Sequence, residues 1–136
     1  MPNKTSTLTW RWMKEVWNEG RETAIDEMLD ANAIVHGIEG ISAPGPEGFK
    51  AFYHSFREQF PQINVEVEAV VSEENVETSR CTVHAVSANG QEVNFTGMVF
   101  VHIQNGKIVE AWNNFDFLSM HQQLGFRIAP PEEMTA

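Results

Sequence analysis

The second half of the chain runs in alternating apolar and polar residues broken by two Asn-Gly pairs, and this pattern restricts the fold more than any other. Asn and Gly both tolerate positive φ, which a two-residue hairpin turn demands. Ile63–Val71 sets Ile63, Val65 and Val67 against Asn64, Glu66 and Glu68. Val76–Val86 follows, then Asn89-Gly90, Val93–Ile103, Asn105-Gly106 and Ile108–Phe117. Period-two runs divided by turn residues predict four strands in an antiparallel meander.

The first half has a helical period. Apolar residues between Leu8 and Trp17 recur every three or four positions, which predicts a helix from a Thr7 or Thr9 cap to about Asn18, stopped by Gly20. A second helix is predicted over Glu22–Leu29, with Ile25, Met28 and Leu29 inward. Ala33-Ile34-Val35-His36 is a short apolar run ended by Gly37. Residues 37–48 hold four Gly and two Pro and read as a loop. A third helix runs from Phe49 to about Phe60, with Phe49, Phe52, Tyr53, Phe56 and Phe60 on one face, and Pro61 ends it. Helices followed by an antiparallel sheet make an α+β fold. A long twisted sheet curls, and helices on its concave face leave a blind apolar cavity.

At 136 residues the chain is expected to form one domain, with a loosely held tail over residues 126–136. The net charge is −10, and the nine basic residues are scattered, so neither nucleic acid nor an anionic membrane surface is an expected partner. Cys81 is the only cysteine, which fits a reducing compartment. The sequence shows no apolar stretch of signal-peptide or membrane-helix length. A cytoplasmic location is expected. No two of the five His have the spacing of a ligand pair on one element, so no metal is expected. Phosphate-loop, dinucleotide and nucleophile-elbow motifs are absent.

Asp116 is the first candidate for chemistry. It lies near the end of the last predicted strand among Trp112, Phe115 and Phe117. Apolar surroundings penalise an ionised carboxylate and push its pKa toward the range of a general acid or base. The competing reading makes Asp116 the cap of a helix starting near Ser119. Alternation puts Trp112, Asn114 and Asp116 on one side of the last strand, and Met98, Phe100 and His102 on one side of the strand before it. Ideal pairing about Asn105-Gly106 places His102 opposite Val109 and on the other face from Asp116. A single bulge reverses that relation. His36 stands where a pocket mouth is expected, and the Tyr53 hydroxyl needs a partner if buried. His84 is a weaker candidate, since Arg80 and Thr82 beside it are polar. His54 and His121 read as surface or packing residues.

These residues also carry a family pattern. Trp17–Gly20 reads WNEG with IDEML after it. His36-Gly37, GPEGFKAF at Gly45–Phe52 and Phe60-Pro61 follow. GKIVEAW at Gly106–Trp112, Asp116, and QLG at Gln123–Gly125 complete the series. In this order and spacing the chain resembles the SnoaL-like polyketide cyclase and ester cyclase family, within the nuclear transport factor 2-like superfamily. The resemblance implies a cone-shaped curved antiparallel sheet wrapped over the N-terminal helices, with one deep apolar cavity. It implies acid/base chemistry without metal or cofactor on a small apolar or polyketide-like carbonyl compound: aldol-type cyclisation, or a related isomerisation or hydrolysis. The family's acid/base Asp falls on Asp116. Its pocket His falls on His102, fourteen positions earlier, which implies a bulge in the hairpin. The expected substrate contacts are His36, Tyr53, Phe56, His84, Met98, Phe100, Trp112 and Asn114. The chain departs from the pattern at Cys81-Thr82-Val83-His84, at the short Asn89-Gly90 turn and at Asn113-Asn114. A non-catalytic ligand-binding domain of the same fold is the alternative. A homodimer is expected, through Val83, Ala85 and the exposed side of Val93–Ile103.

Overall fold

A computed structural model describes residues 3–134. Thr7 caps the first helix, α1 (Leu8–Trp12), its hydroxyl oxygen accepting from the Trp10 N–H at 3.4 Å. The helix continues as a π-helical segment, Met13–Asn18. The wider turn lets Trp12, Met13, Val16 and Trp17 all face inward and become buried. Gly20, at φ +67°, takes the left-handed conformation expected of the stop.

α2 (Thr23–Met28) leads directly into β1 (Leu29–His36). The run Ala33–His36 therefore belongs to a strand that the meander pattern did not include. α3 (Gly45–Gln59) starts four residues earlier than its apolar face suggests, with Pro46 in its first turn. β2 (Gln62–Glu73), β3 (Val76–Val86), β4 (Glu92–Gln104) and β5 (Lys107–Phe115) form the expected antiparallel meander. Asn105 and Gly106, at φ +53° and +76°, make the tight turn between β4 and β5. α4 (Phe117–Gln123) and the short α5 (Pro131–Met134) follow. Thr135 and Ala136, the end of the expected tail, lie outside the described residues.

The sheet is curved, open and five-stranded, in the order β1-β5-β4-β3-β2. It is not wholly antiparallel, because β1 pairs with β5 in parallel. A parallel neighbour has no tight turn to announce it, since the return path runs through α3 and the meander. Three register shifts interrupt the sheet, one between Leu29 and Ile34 in β1, one between Val67 and Ala69 in β2 and one opposite His102 and Ile103.

The helices cover the concave face. Odd-numbered residues of β3 and β4 point inward, among them Cys81, Val83, Ala85, Val93, Phe95, Val99 and Val101. Two polar anchors fix the first helix to this face. The Glu77 carboxylate is buried and accepts the first-turn N–H groups of Leu8 and Thr9 at 3.1 and 2.9 Å. The Asn18 side chain pairs with both backbone groups of Val65 on edge strand β2, at 2.6 and 2.9 Å. Tyr53 donates to the Val16 carbonyl at 3.1 Å, and Arg57 to the Trp17 carbonyl at 2.7 Å. Carbonyls released at the end of the first helix are thus taken up by α3.

Candidate functional site

A small cavity lies between the concave face and the helices, with a volume of about 60 Å³. Trp12, Met13 and Trp17 wall it from the first helix, Phe49, Phe52 and Phe56 from α3. Val83, Phe95, Asn113 and Phe115 close it from the sheet, and Phe117 from α4. A second space of about 30 Å³ adjoins it and shares Trp12, Met13, Phe49 and Asn113. Asn113 is the single carboxamide in either wall, and among the described residues no Asp, Glu, His, Lys or Arg lines them.

The wall depends on close fits between strands. Gly97 of β4 pairs with Phe115 of β5, and a Cβ on Gly97 would lie 2.2 Å from the Phe115 ring. Glycine there lets that ring lie flat on the sheet beside Phe95 and Phe117.

The family-implied bulge is present. Ile103 pairs with Ile108 while His102 pairs with Glu110, so Val109 is the extra residue. The shift puts His102 and Trp112 on the same side, but that side is the convex one. His102 is exposed and its ring meets Trp112 edge to face at 5.4 Å. The expectation that His102 and Asp116 share the cavity is therefore corrected. Trp112, Met98, Phe100 and Asn114 likewise point outward, so none of these four lines the cavity. The same shift turns Asn113 inward, a residue that ideal pairing placed with the other set.

Asp116 links β5 to α4 and lines neither space. Phe115 and Phe117, its two neighbours, line the cavity, while its own side chain is exposed rather than enclosed by aromatic rings. Its backbone N–H donates to the Thr96 carbonyl at 2.9 Å, and its Oδ1 accepts from the Ser119 N–H at 3.0 Å. It caps α4, as the competing reading had it.

The remaining candidates divide. Among those singled out in the sequence, Phe56 alone lines the cavity. Tyr53 is buried, but its hydroxyl is committed to Val16, and burial raises its pKa. His36 is exposed at the end of β1, stacked on Trp112 at 5.2 Å and 2.7 Å from a Glu110 carboxylate oxygen. His84 pairs with Asn94 in a shallow polar groove elsewhere on the convex side, bordered by Gln62, Asn64 and Glu92. Cys81 is fully buried, and burial pushes its thiol up to about 11, with Glu68 adding to the shift. It is no nucleophile at neutral pH.

A family model, the SnoaL-like polyketide cyclase, matches residues 7–124. The chain belongs to the SnoaL-like polyketide cyclase family. A candidate polyketide cyclase from Bacillus cereus ATCC 10987 superposes with a TM-score of 0.78 at 28% identity, over 87% of this chain and 78% of that one. IdmH, a candidate polyketide cyclase from Streptomyces antibioticus, gives 0.75 at 21% identity, over 91% of this chain and 100% of its own. AclR, a candidate hydroxylase from Streptomyces galilaeus, gives 0.75 at 17% identity, over 97% and 88%. The last two carry the fold alone. Among curated proteins none matches the sequence. No helix among the described residues is long and apolar enough to cross a membrane.

Proposed function

We propose that the protein binds a small, largely apolar carbonyl compound between sheet and helices and rearranges it by proton transfer, in the manner its family name describes. The observation that carries this is the apolar cavity, two of whose lining rings, Phe115 and Phe117, flank one carboxylate, Asp116, along the chain. Oδ1 of that carboxylate holds α4, and Oδ2 is the oxygen left to work. It would take a proton from a carbon next to a carbonyl. The enolate so formed attacks a second carbonyl of the same molecule, a carbon–carbon bond forms, and the new alkoxide recovers the proton. No electrons are gained or lost.

Asp116→Asn tests the assignment cleanly, because Asn caps helices as well as Asp. The variant should keep its fold and its ligand while cyclisation of small hydroxyl-bearing 1,5-diketones falls by about 10² to 10⁴-fold. Unchanged turnover would remove Asp116 from the chemistry. A binding role without chemistry is the second reading. The walls favour it, since no titratable acid or base among the described residues lines them. Mass spectrometry separates the two: a ligand returned unaltered by the wild-type protein supports binding alone.

We also propose a homodimer across the convex face. A cross-strand row of Val71, Thr78, Phe100, Trp112 and His36 runs over it, next to Met98. Met98 is 56% and Phe100 41% exposed. Arg80–Glu68 and His36–Glu110 pairs border this apolar strip, so each copy offers charges of both signs to its twin. Val83 and Ala85, expected on this surface, are buried on the concave side and take no part.

A further inference from the structure

We infer that Asn113 orients the ligand of the cavity, and that this ligand is a compact apolar molecule of about one ring bearing a hydrogen-bond donor, such as a phenol, an enol or an alcohol. The inference rests on the proposed ligand-binding cavity and names the class of molecule it takes.

Asn113 stands where the two spaces meet, half-buried, with Trp12, Met13 and Phe49 around the same junction. The geometry of its side chain is determined. Nδ2 lies 3.0 Å from the His36 carbonyl oxygen. A backbone carbonyl only accepts, so the amide nitrogen must sit on that side, and Oδ1 is turned away from it. The backbone beneath is equally constrained. At Gly37, with φ +86°, a Cβ would come within 1.9 Å of the Asn113 carbonyl oxygen, so β1 and β5 end in close contact.

Oδ1 is therefore an oriented acceptor in a wall otherwise made almost wholly of carbon. Among the described residues no fully buried side-chain polar atom lacks a partner, so Oδ1 remains reachable from open space. A donor on the ligand meets it directly. A ligand that offers only acceptors leaves it unmatched, and pockets built on one hydrogen bond reject such analogues.

Size limits the ligand further. The spaces measure about 60 and 30 Å³. A cavity of about 150 Å³ accepts benzene. One ring enters only if a wall side chain turns, and Phe52 and Phe56, both half-buried on α3, are placed to do so. A fused multi-ring compound would require displacing several rings at once.

Three probes of nearly equal shape decide the matter: phenol, anisole and toluene, titrated by calorimetry or ligand-observed NMR. The wild-type protein should bind phenol about three- to tenfold more tightly than toluene or anisole. Asn113→Leu should erase that preference while keeping toluene. The wild-type series alone suffices if the variant fails to fold, because toluene matches phenol in size and lacks the donor. Equal binding of all three, or a preference for anisole, overturns the role of Asn113 and leaves the cavity reading standing. Binding of none of them overturns the cavity reading itself.

Discussion

Glu77 shows how one residue can hold an element in place. Its carboxylate is the buried partner of two N–H groups that α1 cannot satisfy by itself. Negative charge at a helix N-terminus is favoured by the peptide dipoles as well. Beside it, the Ser79 hydroxyl donates to that of Thr9 at 2.8 Å. Glu77→Gln keeps the shape but turns an amide N–H toward one of the two donors. Its expected cost is about 1 to 3 kcal/mol, read as a lower urea midpoint with an unchanged slope. Glu77 was not legible in the sequence, because it shares its side of β3 with Val83 and Ala85, which were expected on an outer surface and are buried. Nor was the inward direction of Asn113, since it depends on a bulge that no spacing rule places.

At the scale of elements, the junction between the first helix and α2 is held by charge. Arg21 reaches Glu15 on the π-helical segment at 2.6 Å and Glu27 on α2 at 2.7 Å. Glu15 is held below its ordinary value near 4.5 chiefly by Arg21, then by Arg11, and Glu27 is lowered by Arg21. A carboxylate with a depressed folded pKa stabilises above its unfolded value and loses that contribution as pH falls through the folded one. Arg21→Ala should therefore be slightly less stable than wild type at neutral pH, since solvent screens a largely exposed network. The gap should close as the pH drops below about 4.5, which thermal melts across the acid range will show. A constant gap at all pH values would mean that packing, not charge, is what Arg21 supplies.

α4 is held at both ends. Asp116 caps its start, and the Gln123 side chain pairs with the Asn94 backbone at 2.7 and 2.8 Å near its finish. Elements with strong periodicity were readable from the residues, hence α1, α3 and the meander. β1 was not, because four apolar residues before a loop do not say which strand lies beside them. Pairing with β5 is decided by contacts far apart in sequence.

For the whole molecule, alternation told which residues share a side of β3 and β4, though not of β5, where the bulge leaves Ile108 and Ala111 both facing inward. It did not tell which side is inside. On β4 the inward set is Val93, Phe95, Gly97, Val99 and Val101, the more apolar of the two, while Asn94, Thr96, Met98, Phe100 and His102 face out. The histidines drew attention to the outward set, and most candidate contacts followed it there. That set now bears on assembly. Light scattering should give twice the chain mass for the wild-type protein and the single mass for Phe100→Glu, whose charge has no partner on an apolar strip. A wild-type monomer at tens of micromolar would exclude the convex face as a dimer contact.

The carbon-rich cavity has a thermodynamic consequence. Apolar cavities of this kind stay dry, so an entering ligand displaces little ordered water. What it gains is dispersion contact with rings that had nothing on one side. Association at room temperature should therefore release heat instead of drawing on solvent entropy, with a negative change in heat capacity. Warming would weaken it, the opposite of what a purely solvent-driven pocket would do.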